Sequence, residues 1–454
     1  MKKFKKFQLS GKCVDISSEG KGIIKYNNKV IFVNGLFLDE EALIEVDYDR
    51  ANVYYGHILK LTNISKDRIQ PKCKVCTACG GCQFQQLSYG AQLKYKQKKV
   101  YESLKRIGNI ETKINECIGM EDPYNYRNKI QVPFGYDEKK RIVCGFYKEK
   151  THKIIPIEEC YIEDKRASKI LKVIKSLMNK YKLKPYDEDL RNGEIRHVLI
   201  RTSKKYNELM VVLVMACNTF PGRKNFIKDL IDECPEITTI IQNTNLRHTN
   251  VILGEKEEVL YGKGFINDEL CGLKFKISPK SFYQINPVQC EKLYKTVIDS
   301  ASLNKNEVVL DAYAGVGTIG ICAAKYVKKV YSVEIVKEAS KDAFINAKDN
   351  KIENVSFICK DATKYIQELV LSNEKIDVIL MDPPRTGSTP NFLNSVLKLE
   401  PSKIIYVSCD PATLARDLKI LVEKYNILSI QPVDMFPMTS HIETVCALSL
   451  KKSC

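Results

Sequence analysis

Cys409 follows a short apolar run, Ile404–Val407, and precedes Asp410-Pro411, a pair that commonly opens a helix. A thiol at the carboxyl end of a strand, beside helix amides, is expected to give up its proton readily and act as a nucleophile. Further on, Phe436-Pro437-Met438-Thr439-Ser440-His441-Ile442-Glu443 supplies a carboxylate. Glu443 is the candidate proton acceptor, with His441 either competing for that part or making a structural hydrogen bond. A second group of thiols, Cys73, Cys76, Cys79 and Cys82, recurs at three-residue intervals in PKCKVCTACGGCQF. Such density is metal-ligand spacing, and one zinc ion or one 4Fe–4S cluster would accept it.

A third pattern points to a nucleotide-like cofactor. Val308–Leu310 runs into Asp311-Ala312-Tyr313-Ala314-Gly315-Val316-Gly317-Thr318-Ile319-Gly320, whose glycines let backbone pass close to a ligand before a helix begins. Glu334 ends the next strand, where a carboxylate can accept from two ribose hydroxyls. Asp361 ends a third, placed to meet an adenine edge. The glycine run alone would also suit a nicotinamide cofactor, or a purely structural turn. The fourth strand separates these readings, because it ends in Met381-Asp382-Pro383-Pro384-Arg385. A stiff acidic-Pro-Pro loop at this edge is expected of methyltransferases that use S-adenosylmethionine, where it lies between cofactor and target base.

These residues need a frame. From Gly272 to Cys454 apolar runs alternate with helical stretches, the rhythm of a doubly wound, mainly parallel sheet resembling a Rossmann fold. Residues 65–271 mix both patterns, as in an α+β domain. They include a helix over Leu87–Ile107 with Leu93, Val100, Leu104 and Ile107 on one face, and Lys94, Lys98, Lys99, Lys105 and Arg106 on the other. The basic face is either solvated or in contact with RNA. Residues 1–64 alternate apolar and polar positions between turns such as Asn27-Asn28, and read as a small β barrel of the kind that carries single-stranded RNA. The chain is thus expected to be a three-part, multidomain α/β protein.

Composition narrows the partners. A formal charge of +17 over 454 residues suits a polyanion, although a lysine-rich surface would look the same. Seventeen cysteines in a chain of this length, with no apolar segment after the basic start, argue against a secreted disulfide scaffold. The expectation is a cytoplasmic protein with reduced thiols and no membrane partner; a monomer is the simplest state.

Five segments together resemble the bacterial RNA uracil-5-methyltransferases, over nearly the whole chain. They are FYQINPVQ (Phe282–Gln289), DAYAGVGTIG, MDPPRTG, SCDPATLARDL and FPMTSHIETV. The resemblance implies that residues 1–64 are a TRAM domain and that the activity is transfer of a methyl group to carbon 5 of a uridine. It implies Cys409 as nucleophile on carbon 6 of the base and Glu443 as the base that removes the carbon-5 proton. It places Gln284, Tyr313, Glu334, Asp361 and Asp382 at the cofactor. For the cysteine cluster it implies a 4Fe–4S site on Cys73, Cys79, Cys82 and the distant Cys160, leaving Cys76 as an extra thiol. The barrel and the cluster resemble the branch that acts on 23S ribosomal RNA. The alternatives are the same reaction on the transfer-RNA T-loop, or an iron–sulfur RNA-binding protein without activity.

Overall fold

The computed structural model describes residues 4–148, 151–249 and 251–452. Six strands from Phe7–Lys12 to Val53–Asn63 form the N-terminal sheet. Its tightest hairpin joins Gly22–Tyr26 to Lys29–Val33 through Asn27 and Asn28, whose φ of 45° and 60° are both left-handed. That is the conformation a two-residue turn between twisted strands demands, and asparagine tolerates it. The sheet wraps its own small core, with Ile24, Ile31, Val33, Ala42, Ile44 and Val46 at its centre.

The central region is a seven-stranded sheet carrying the helices Lys165–Lys180 and Arg223–Glu233. Its middle strands, Ile195–Thr202 and Leu209–Met215, are buried along their whole length; Leu209–Met215 is apolar throughout, whereas Ile195–Thr202 also buries Arg196, His197 and Arg201. Alternate residues serve two cores. Val198, Ile200, Val211 and Leu213 meet the helices, while Leu199, Met210, Val212 and Val214 share a core with the C-terminal sheet. The hairpin Ile266–Leu270/Leu273–Ile277 belongs to that shared core, so a boundary at 271/272 falls in its turn.

The C-terminal sheet has five parallel strands: Val308–Ala312, Lys329–Glu334, Val355–Cys359, Val378–Met381 and Lys403–Ser408. Tyr425–Val433 and Glu443–Leu450 add an antiparallel pair at one edge. In the order of the sheet, Val308–Ala312 lies between Lys329–Glu334 and Val378–Met381. The order in which strands are added reverses there, so a crevice opens at the carboxyl ends of these strands.

The helix expected over Leu87–Ile107 spans Tyr89–Ser103 and is followed by a wider turn, Leu104–Gly108. Val100 and Leu104 of the expected apolar face are buried, and two polar residues join them on it. Gln92, Lys96 and Val100 point inward, while Ile107 is 44% exposed. The polar residues turn in because the loop before Glu443 offers them hydrogen-bond partners. Among the described residues no helix is long and apolar enough to cross a membrane.

Candidate active site

A cavity of about 500 Å³ opens at the carboxyl edge of the parallel strands. The ends of Val308–Ala312, Val378–Met381 and Lys403–Ser408 each deliver one part of it. After Val308–Ala312 the chain turns through Tyr313, which takes a left-handed φ of 65°, and then Gly315 and Gly317, also left-handed. Gly317 caps the helix Thr318–Ala324. The Tyr313 hydroxyl accepts from Ser388 Oγ at 3.2 Å, holding the ring against the cavity. Glu334 braces the turn without lining the cavity: its two oxygens accept the amides of Gly315 (2.8 Å) and Val336 (2.7 Å). Gln284 lines the cavity, with its backbone carbonyl held by Asn128 Nδ2 at 3.0 Å.

Asp361 is placed differently from the expectation. It caps the helix Ala362–Ser372, accepting from the Lys364 amide at 3.1 Å, and does not line the cavity. A residue with that spacing before a helix serves as N-cap by its side-chain chemistry alone.

Asp382, Cys409 and Glu443 do come together in the cavity wall. Burial pushes the Asp382 carboxyl up to about 7. Burial, then the nearby Asp382, raise Glu443 well above the carboxylate range, with Arg385 opposing. The two carboxyls are therefore a coupled pair with high proton affinity. Cys409 departs from the activated thiol expected of a helix start. Burial first, then Glu443 and Asp382, raise it to about 11. The helix amides that would have lowered it are already taken: Asp410 accepts from Ala412 (2.8 Å) and Thr413 (3.2 Å).

A second space, about 1150 Å³, lies on the other side of Cys409. Its walls come from Ser18–Lys21 of the N-terminal sheet, the cysteine loop, Lys99 and the Asp410–Ala412 helix start. Arg385, Cys409 and His441 line both spaces. The thiol thus stands where a small cavity meets a much larger cleft.

The loop that leads to Glu443 is held from several directions. Asn286 Nδ2 donates to Met435 O at 3.1 Å, Gln289 Nε2 to Asp434 O at 2.9 Å and Tyr126 Oη to Pro437 O at 3.0 Å. From the long helix, Gln92 accepts the Met438 amide (3.0 Å), Lys96 donates to Phe436 O (3.1 Å) and Lys99 donates to Ser440 O (2.9 Å). Lys99 also donates to Ser18 O at 2.9 Å, tying the N-terminal sheet to the same place. Lys99 is consequently part of an internal clamp, whereas Lys98 remains outside and pairs with Asp15. Sequence spacing overlooked Gln92, Lys96 and Asp434. For Gln92 and Lys96 the only signal was polar type at positions i and i+4 of a helix, which ordinarily marks a solvated face, and a lone aspartate after a strand gave none.

The cysteines gather from two segments. Cys82 and Cys160 pack beside the same buried residues, Tyr126, Ile162 and Met438. Burial pushes Cys82 up to about 12, with Cys79 and Cys73 adding to it. Burial also raises Cys160, and Cys82 and Cys79 are among the neighbours that reinforce the shift. The cysteine neighbours that act on Cys76, whose thiol is likewise raised by burial, are Cys73 and Cys79. The cysteine loop touches the active-site loop directly, through Phe84 N to Met438 O at 3.0 Å and Ser440 N to Gln83 Oε1 at 3.3 Å.

This fold and the make-up of its edge define an S-adenosylmethionine-dependent methyltransferase. The model of the tRNA (uracil-5-)-methyltransferase family matches residues 88–452, and the chain belongs to that family; it is an RNA methyltransferase. An uncharacterised RNA methyltransferase of Clostridium tetani is 42% identical over 435 residues, 96% of this chain and 94% of that protein. One of Staphylococcus aureus is 40% identical over 443 residues, 97% and 98% of the two chains. Among solved structures, the Pyrococcus abyssi tRNA (uracil-54, C5)-methyltransferase in complex with S-adenosyl-L-homocysteine is similar, with a TM-score of 0.77 at 28% identity. The match covers 97% of this chain and 100% of that one.

Proposed function

We propose that this RNA methyltransferase places a methyl group on carbon 5 of a uridine in 23S ribosomal RNA, through a covalent adduct between Cys409 and carbon 6. The observation that carries the reading is the place of Cys409, between a cofactor-sized cavity and a cleft large enough for RNA. Carbon 5 of uracil is a poor nucleophile, and thiolate addition at carbon 6 makes it an enolate carbon able to attack a methyl group. S-adenosylmethionine supplies that methyl on a sulfonium whose positive charge favours the ionised forms of Asp382 and Glu443. Overall one proton is released: the thiol proton returns at the end, and the carbon-5 proton is lost. Glu443 takes the carbon-5 proton; the electrons of that bond reform the 5,6 double bond and expel Cys409. Gln284, Tyr313, Glu334 and Asp382 are the proposed cofactor contacts, whereas Asp361 serves as a helix cap. The base must leave its stack to reach the thiol.

Four thiols without an imidazole among them suit an iron–sulfur cluster, and Cys73, Cys79, Cys82 and Cys160 are the proposed ligands of a 4Fe–4S group. Its part is to brace Gln83 and Phe84 against the active-site loop and to shape the RNA cleft, since methyl transfer to an enolate needs no electron. The N-terminal sheet is proposed as the RNA-binding TRAM domain, and the protein as a cytoplasmic monomer. The ribosomal substrate is favoured by that sheet and the cysteine loop both forming the cleft wall. The second reading, the transfer-RNA T-loop, is favoured by the family's description and by the substrate named for the Pyrococcus enzyme.

The deciding experiment incubates anaerobically purified protein with labelled S-adenosylmethionine and total RNA lacking 5-methyluridine, then fractionates and digests the RNA. Label in 5-methyluridine from the large ribosomal RNA supports the proposal. Label confined to transfer RNA keeps the chemistry and replaces the substrate. No label in either leaves an RNA-binding protein without this activity.

A further inference from the structure

Thiolate addition to carbon 6 drives charge onto the carbonyl oxygen at carbon 4, and an enolate oxygen in a sequestered site calls for a fixed donor. Three residues line both the cofactor cavity and the RNA cleft: Cys409, Arg385 and His441. Arg385 Nη2 lies 2.9 Å from His441 Nδ1. A guanidinium has donor hydrogens only, so Nδ1 is the acceptor and the neutral ring carries its proton on Nε2. That Nε2 makes no hydrogen bond to a described residue, and it is not among the sealed polar atoms without a partner. It is therefore not sealed off, and the ring lines both spaces beside Cys409. The ring is held against Phe436, edge to face, with centroids 6.0 Å apart.

We propose that His441 Nε2–H donates a hydrogen bond to the carbon-4 oxygen of the target uracil and stabilises the enolate that forms when Cys409 adds. The inference rests on the uracil-5 methylation reading. In the step, the Cys409 sulfur bonds to carbon 6, and the electrons of the 5,6 double bond shift through carbon 5 and carbon 4 to the oxygen. They return as carbon 5 bonds to the methyl carbon, while the electrons of the sulfur–methyl bond stay on sulfur. His441 keeps its proton throughout. Its surroundings suit this: burial first, then Arg385, Lys99 and Lys96, against Asp410, push its pKa down to about 4. Neutral imidazoles serve as donors to enolates in other enzymes. This role also removes His441 as rival to Glu443, because the ring's one acceptor nitrogen is occupied by Arg385.

The test uses 23S ribosomal RNA and transfer RNA transcribed with 5-fluorouridine, which stalls the reaction at the methylated adduct, and follows adduct formation on denaturing gels. His441→Ala is expected to slow the adduct about 10²–10³-fold, the usual effect of losing one such donor. Affinities for RNA and for S-adenosyl-L-homocysteine should stay unchanged. His441→Gln, which keeps an N–H, should recover part of the loss. If the alanine variant loses S-adenosyl-L-homocysteine binding, His441→Phe, with ring bulk but no donor, replaces it under the same criteria. A parental rate in the donor-less variant, a rate loss matched by lost RNA affinity, or glutamine no faster than alanine would overturn the proposal. A parent protein that forms neither adduct nor 5-methyluridine would instead defeat the methylation reading, and this role with it.

Discussion

Lys96 Nζ lies 2.5 Å from Asp434 Oδ1, and both side chains are wholly buried. Tyr89 Oη donates to the other Asp434 oxygen at 2.9 Å, and the Phe436 amide donates to Oδ1 at 3.2 Å. The pair thus joins the helix Tyr89–Ser103 to the first residue of the segment leading to His441 and Glu443. Desolvation opposes the Lys96 charge, and the Asp434 carboxylate is what keeps it tenable.

Breaking that pair should cost far more than removing it. Lys96→Met leaves Asp434 buried without its cation and is expected to destabilise the fold by about 3–5 kcal/mol. The double variant Lys96→Met/Asp434→Leu should recover much of that loss, yet turn over slowly because the loop has lost its anchor. Urea denaturation of the two variants, with methyl transfer measured on each, checks both halves.

Cys409 should be a sluggish thiol in the free protein. With its pKa raised to about 11, alkylation by iodoacetamide at pH 7 should be slow and should climb with pH up to about 11. The Cys409→Ala protein identifies which signal belongs to it. A plateau reached near pH 8 would show that the helix start activates the thiol after all.

Asp382 predicts a pH dependence of stability. Its folded pKa is raised to about 7, above the unfolded value near 4, so the folded protein holds a proton that the unfolded chain releases. Stability contributed at this position is therefore full at low pH and falls as pH rises from about 4 to about 7. Asp382→Asn should be more stable than the parent at pH 8, by on the order of a few kcal/mol, with the difference gone by pH 4. Thermal unfolding across that range reads it directly.

Glu443→Gln should trap the intermediate. Methyl transfer can proceed without the carboxylate, whereas elimination stalls, so protein–RNA adduct should accumulate on a denaturing gel. Cys409→Ala should give neither adduct nor product.

The fourth cluster ligand can be settled by two substitutions. Cys160→Ala should abolish the visible absorption of anaerobically reconstituted protein, while Cys76→Ala should leave it. The opposite result would make the cysteine loop self-sufficient.

Much of the catalytic edge was legible in the sequence because strand ends and the turns after them are local. The runs Val308–Leu310, Val378–Leu380 and Ile404–Val407 mark parallel strands, and the turns at their carboxyl ends must lie at the same edge. That logic brought Tyr313, Asp382 and Cys409 into one wall. It failed for Asp361, since a carboxylate before a helix can serve the helix as readily as a ligand. It failed also for the thiol's acidity, because spacing shows the helix start but not that Asp410 occupies its amides, nor that two buried carboxyls face Cys409. Only the tertiary structure could show that the inward face of the helix Tyr89–Ser103 also buries two polar residues. Gln92 and Lys96 are buried because a loop more than 300 residues away supplies their partners, at separations of 346 and 338 residues. Local periodicity carries no information about partners so distant in the chain; burial of a polar group depends on them entirely.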